Sequence, residues 1–238
     1  MVSTVNDFSS FLPTPPFSGT GGQFYGVYTA LVTDVQDPDG LGRVRLRLPW
    51  VTDPDGAAYE IWARVATLMA GNDRGSWFIP EPKDEVLVAF EGGCPGRPIV
   101  LGALWNGQDK PPEQMDKNNN VRTITSRSGI RVAFDDSADG VEFTVETPGG
   151  QRVVCADTPA RVDISDANGN QITMEAAGIT LNASAQININ AGAGLNISAP
   201  LVSVNAGTSK FSGMVQSSTN ITNTTISAVY TPGAGNIW

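Results

Sequence analysis

The feature that most limits what this chain can become is a ladder of apolar pairs running from Val132 to Val204. In order, the pairs are Val132/Phe134, Phe143/Val145, Val153/Cys155, Val162/Ile164, Ile172/Met174, Ile179/Leu181, Ile187/Ile189, Leu195/Ile197 and Val202/Val204. The two members of each pair stand two residues apart, so an extended strand turns both toward one face. Successive pairs begin 11, 10, 9, 10, 7, 8, 8 and 7 residues apart. Asp, Gly, Asn, Ser and Pro lie between them and break the strands into turns, as at Asp139-Gly140, Pro148-Gly149-Gly150 and Asn168-Gly169.

A repeat of seven or eight residues is one strand and one corner, too little for the full coil that a one-chain β-helix requires. Three chains wound together, each supplying one side of every layer, would bury the pairs on a common axis. The spacing also admits an ordinary meander of hairpins in a sandwich. Composition favours the wound trimer. From Ala176 to Trp238 the only charged side chain is Lys210. A lone sheet so poor in charge would expose edges that aggregate, whereas intertwined chains leave no free edge. The expected fold is therefore all-β, with residues 121–205 forming an intertwined triple-stranded β-helix of a homotrimer. The expected trimer core is the ladder itself.

Upstream, residues 24–107 are β-rich and fit a small closed barrel of five or six strands. In Arg43 to Leu48 the apolar residues Val44, Leu46 and Leu48 alternate with Arg43, Arg45 and Arg47, so one face enters a core and the other meets water. The turns Asp37-Pro38-Asp39-Gly40 and Asp53-Pro54-Asp55-Gly56 lack the further oxygen ligands of a calcium loop and read as turns. Residues 108–120 are polar and carry two prolines, as a linker does. Residues 1–23 form an extension whose Phe8, Phe11 and Phe17 either dock on a partner or stay loose. Residues 206–238 are expected to form the tip, with Val229, Tyr230, Ile237 and Trp238 as a plug or docking platform.

Several chemistries are disfavoured. The chain has no histidine, which removes the commonest metal ligand and general base and any Ser–His–Asp triad. The carboxylates Asp135/Asp136 and Glu142/Glu146 are expected at ladder corners, where Asp builds turns, and not across a substrate cleft. A net charge of −9 speaks against a general nucleic-acid binder. Two cysteines, Cys94 and Cys155, are too few for a disulfide framework. The first residues lack a basic start and an apolar core, so no signal peptide is expected. No catalytic residue, cofactor or metal is expected.

Three stretches carry a resemblance. Asp39-Gly40-Leu41-Gly42-Arg43-Val44-Arg45-Leu46-Arg47-Leu48-Pro49-Trp50, then Asp84 to Gly93, then Arg97 to Asn106, resemble the OB-fold barrel of the baseplate assembly protein V / VgrG spike family. The segment Arg122 to Asp136 resembles the start of that family's β-helix. The resemblance covers roughly residues 24–205. It implies a structural homotrimer, the membrane-puncturing central spike of a contractile phage tail or injection machine, located in the baseplate of a virion or particle. It also implies a separate hub protein above the barrel, docked through Phe8, Phe11 and Phe17, because only a short extension precedes the barrel. Without histidine the tip would be closed by apolar residues or by a PAAR-like protein, and the target cell membrane would be met transiently. The rival reading is a trimeric β-helical fibre that binds or degrades surface glycans, which would need outward aromatics and a carboxylate-lined groove.

Overall fold

A computed structural model describes residues 22–52 and 55–228. The expected hub-docking residues Phe8, Phe11 and Phe17, and the expected tip residues Val229, Tyr230, Ile237 and Trp238, lie outside the described residues. The chain divides into a compact unit ending at Gln186 and a second beginning at Ile187.

The first unit opens with a closed five-stranded barrel. Its strands are β1 (Val27–Asp34), β2 (Val44–Thr52), β3 (Ala58–Val65), β6 (Glu85–Phe90) and β7 (Pro98–Leu104), with the short hairpin β4 (Ala70–Gly71) and β5 (Arg74–Gly75) between β3 and β6. The closure order is β1-β2-β3-β7-β6. All its pairings are antiparallel except β3 with β7, which is parallel. This is the OB barrel expected from the sequence. Alternation explains why β2 forms: Val44, Leu46 and Leu48 are wholly buried while the residues between them face out. They meet Ala30, Val32, Ala63, Val86, Val88 and Val100 in one core. Phe24, Tyr28, Trp50 and Phe90 close one end, with Tyr28 stacked on Trp50 at 4.6 Å between ring centres.

The Asp37 turn before β2 and the arginine row of β2 both find their partners within the chain. Asp37 accepts backbone N–H bonds from Asp39, Leu41 and Arg43, and Arg43 reaches back to it at 2.6 Å. These bonds, chiefly that from the Arg43 guanidinium, hold the Asp37 carboxyl far below the usual carboxylate range. The carboxylate that a calcium ion would need is committed to its own turn. Arg45 pairs with Glu60 at 3.0 Å, so the arginine row is a wet outer face, as its alternation predicts.

Beyond the barrel seven strands follow: β8 (Val121–Thr125), β9 (Arg131–Asp135), β10 (Glu142–Glu146), β11 (Arg152–Asp157), β12 (Ala160–Ser165), β13 (Gln171–Glu175) and β14 (Gly178–Asn182). They form one sheet in which every strand pairs with its sequence neighbours. Within one chain, then, the first six apolar pairs make an antiparallel meander, because short turns return each strand beside the last. In the second unit the described residues, 187–228, include no strand; there Ile187/Ile189, Leu195/Ile197 and Val202/Val204 lie in exposed irregular backbone.

Three of the meander's turns share one design. Ser126, Thr147 and Asp166 each exchange backbone bonds with the residue four and three positions on: Ser126 N–H to Ile130 O and Gly129 N–H to Ser126 O, with the same pattern at 147–151 and 166–170. In each, the side-chain oxygen of the first residue also accepts the N–H of the last, at 3.0, 3.3 and 3.0 Å. The fourth residue is Gly129, Gly150 or Gly169, at φ of 86°, 84° and 85°, where a side chain would be strained. The turns also sit one on the next. A Cβ at Gly129 would lie 3.1 Å from Pro148 Cγ, and one at Gly150 would lie 3.2 Å from Ala167 Cβ.

Asp166 gives this stack a pH dependence. Hydrogen bonds from the Asn170 amide, and then from the Asn170 and Asn168 N–H groups, lower its carboxyl from 3.8 to about 2. A depressed carboxylate stabilises the fold fully above its unfolded value and loses that contribution as pH falls through the folded one. Asp166→Ala is therefore expected to destabilise the meander at neutral pH and to shrink its loss of stability between about pH 4 and pH 2. Unfolding followed by far-UV circular dichroism across that range checks this; an unchanged acid profile would count against the turn's role.

Candidate functional site

The meander has two unlike faces, set by strand parity and pairing register. Phe143 stands opposite both Phe134 and Cys155, Val145 opposite Val132 and Val153, Ile164 opposite Val153 and Ile172, and Val162 opposite Cys155 and Met174. Ile172 and Met174 in turn face Leu181 and Ile179. Residues directly opposed in antiparallel strands project from the same side of the sheet. The first six sequence pairs therefore fall on a single face, and Ile124, opposite Val132, extends it by one strand.

That face is not covered by the chain's own described residues. Phe134, Ile164, Met174, Ile179, Leu181 and Cys155 are exposed, and Val132, Phe143, Val145, Val153, Val162 and Ile172 are half-buried. The Phe134 and Phe143 rings touch at 5.2 Å, and Phe134 remains exposed. Between β10 and β13 the face dips into an apolar groove of about 380 Å³, walled by Val145, Val153, Ile164 and Ile172. Covering such a face would yield about 1 kcal/mol for each half-exposed side chain. An uncovered apolar surface this continuous marks an interface.

The opposite face is closed by the chain itself. Ala133, Thr144, Val154 and Ala156 are buried there, flanked by a web of ion pairs. Glu142 receives Arg152 at 3.0 Å and Arg161 at 3.2 Å, and Arg161 also reaches Asp163 at 2.8 Å. Arg131 joins Glu113 of the connecting segment at 2.9 Å and Glu146 at 3.7 Å. The arginines stand on the same side of the sheet as these small side chains. Bonds from Thr173 and then Arg161 hold the Asp163 carboxyl below its usual value.

The placement of the carboxylates differs in part from the sequence expectation. Asp135 ends β9 and caps the turn that follows, accepting the N–H and hydroxyl of Ser137, and Asp136 pairs with Arg122. Glu142 and Glu146, however, stand within β10 and not at corners; they serve the ion-pair web. The sequence shows these charges but not their pairing, because partners 10 to 19 residues apart meet only once register is set. Among the described residues no cluster of acidic or sulfur ligands is arranged to hold a metal ion, and no helix is long and apolar enough to cross a membrane.

Comparison with known proteins bears on both parts of the chain. Residues 28–105 match the model of the type VI secretion system/phage-baseplate injector OB domain, which is the barrel. Residues 142–209 match the phage baseplate V C-terminal trimerisation domain, from β10 through the last three apolar pairs. Among similar proteins are two type VI secretion system spike proteins of Pseudomonas aeruginosa. VgrG1b is 31% identical over 129 residues, which are 52% of this chain and 17% of that protein. VgrG4b is 30% identical over 146 residues, 59% of this chain and 17% of its own length. VgrG3 of Vibrio cholerae is 36% identical over 108 residues, 42% of this chain and 10% of that protein. The match thus spans about a sixth of the length of the first of these relatives. An injector barrel and a baseplate trimerisation segment, consecutive and together spanning more than half of the chain, place this protein in the baseplate V / VgrG-like family of spike proteins.

Proposed function

We propose that three copies of this chain form the central spike of a contractile tail or injection baseplate, and that the spike acts mechanically and not as a catalyst. One observation carries the reading: inside a segment that matches a trimerisation domain, a row of apolar pairs stands uncovered while the reverse face carries a web of ion pairs beside buried small side chains. Turned inward around a threefold axis, the rows of three chains would cover one another. Val132, Phe134, Phe143, Val145, Val153, Val162, Ile164, Ile172, Met174, Ile179, Leu181, Ile187, Ile189, Leu195, Ile197, Val202 and Val204 then form the axial core, with the later rungs gaining strand structure from neighbouring copies as an intertwined β-helix.

Such an assembly spreads an axial push over every interchain hydrogen bond and over the whole packed core. Its distal part is nearly free of charge, with Lys210 alone between Ala176 and Trp238. Passing uncharged Ser, Thr and Asn through lipid headgroups costs less than dragging ions through them. A sheath contraction would drive the spike through a cell envelope. In this arrangement a separate hub protein joins the barrel end, through the N-terminal aromatic segment, and a tip protein or the C-terminal apolar residues close the point.

Two measurements test this. Light scattering of the purified chain is expected to give three times the 25.0 kDa chain mass; a monomer would remove the whole scheme. In the producing cell, contractile particles whose chain stops before Val121 should still assemble a barrel-level baseplate yet fail to permeabilise target cells. Full permeabilisation by such particles would reject the puncturing role.

A further inference from the structure

The barrel bears a second uncovered apolar surface, separate from its core and from the ladder. Leu68, Met69, Trp77 and Phe78, in the loop between β3 and β6, and Leu41, in the turn between β1 and β2, are each more than half exposed. Leu41, Met69, Trp77 and Phe78 rim a cleft of about 550 Å³. The loop is built, not slack. The hairpin of β4 and β5 spans it, Ser76 N–H donates to Met69 O at 2.9 Å, and the Thr67 hydroxyl donates to Ser76 O at 2.7 Å. The Trp77 ring lies against Gly42, where a Cβ would come within 3.2 Å of it. A large aromatic side chain is thus held in place and left in water, which is the mark of a contact surface.

Its position in the fold selects the occupant. At one end of β1, Val27 pairs with Ala89, and Phe24 N–H donates to Gly93 O; the described chain enters the barrel here. Toward the other end, roughly 17 Å along the strand, Val32 N–H donates to Asp84 O and Lys83 N–H donates to Val32 O. Glu81, which follows Ile79 of the cleft, reaches Arg127 at 3.0 Å there. Arg127 is in the turn joining β8 to β9, the strands that carry Ile124 and Val132, the first rung of the uncovered ladder face. The aromatic loop is therefore at the meander's end of the barrel, away from the entry end, and one ion pair connects it to the start of the ladder.

We propose that the loop 66–79 is a second interchain contact: Trp77 and Phe78 of one copy seat on a neighbouring copy of the same chain. The contact continues the ladder interface onto the barrel and ties each barrel to its neighbour, so that the barrels cannot turn independently of the axial core. It rests on the trimeric reading above and adds an interface outside residues 142–209.

Photo-crosslinking of the full chain tests it. Benzoylphenylalanine is placed at position 77, and separately at position 78, in chains mixed with isotopically heavy copies before assembly. Irradiation is expected to give denaturation-resistant species of two and three times 25.0 kDa, containing peptides that join light to heavy chains. Interchain product at either position supports the contact. A trimeric mass with only intrachain links at both positions overturns it while leaving the trimeric spike intact, and a monomeric mass overturns both.

Discussion

Ile164→Asp is expected to leave the protein monomeric. Ile164 lies mid-ladder, opposed by Val153 on one side and Ile172 on the other, with its own face uncovered in the single chain. In a trimer closed by that face, three carboxylates would be brought toward one axis with no cation nearby. The arginines that could pair with them belong to the reverse face, bound to Glu142, Glu146 and Asp163. An uncompensated buried charge costs on the order of 3–5 kcal/mol, borne here by each chain, and mutual repulsion adds to it. The check is mass by light scattering, beside Thr180→Asp as a control. Thr180 projects from the other side of β14, between Ile179 and Leu181, so that variant should remain a trimer. A trimeric I164D protein, or loss of the trimer in both variants, would show that the apolar row is not the trimer core.

Leu46→Ala should have the largest effect within the barrel. Leu46 is wholly buried in the core that holds Val32, Val44, Val86 and Val88. Removing its branched end loses transfer energy and leaves a void, together costing about 2–5 kcal/mol. For a domain of this size that lowers the barrel's melting temperature by roughly 10 °C or more. Arg47→Ala, one residue on and exposed, should move it by less than about 0.5 kcal/mol. Calorimetry separates the barrel transition from that of the ladder, and the mass of L46A should remain that of the parent. Equal melting of the two variants would contradict the buried assignment.

Much of this is legible in the amino-acid sequence. A two-residue spacing forces Val132/Phe134 through Ile179/Leu181 to share a side of their strands, and the pairing register then gathers all six on one face of one sheet. In the barrel, alternation in β2 was enough to separate Leu46 from Arg47. What could not be read was anything that depends on register between distant strands. Glu142 sits in the sequence like a corner acid, yet its partners Arg152 and Arg161 arrive from the next two strands. The Trp77-Phe78-Ile79 run looks like a further barrel strand by composition; the structure has it in irregular backbone, because the β4–β5 hairpin and Gly42 hold it outside the ladder of hydrogen bonds. The last three apolar pairs show the opposite limit. They have the same spacing as the others, but the strands that would pair with them are not supplied by their own chain's described residues.

The three matching turns make the meander countable. From Ser126 to Thr147 is 21 residues and from Thr147 to Asp166 is 19, in each case two strands and the turns that end them. Removing or duplicating one such module joins like to like: a hydroxyl or carboxylate at the first position, glycine at the fourth, and no change in which side chains point inward. A protein built this way can vary its reach in whole steps, gaining or losing one hairpin of length at a time without redrawing the surface by which its copies recognise each other.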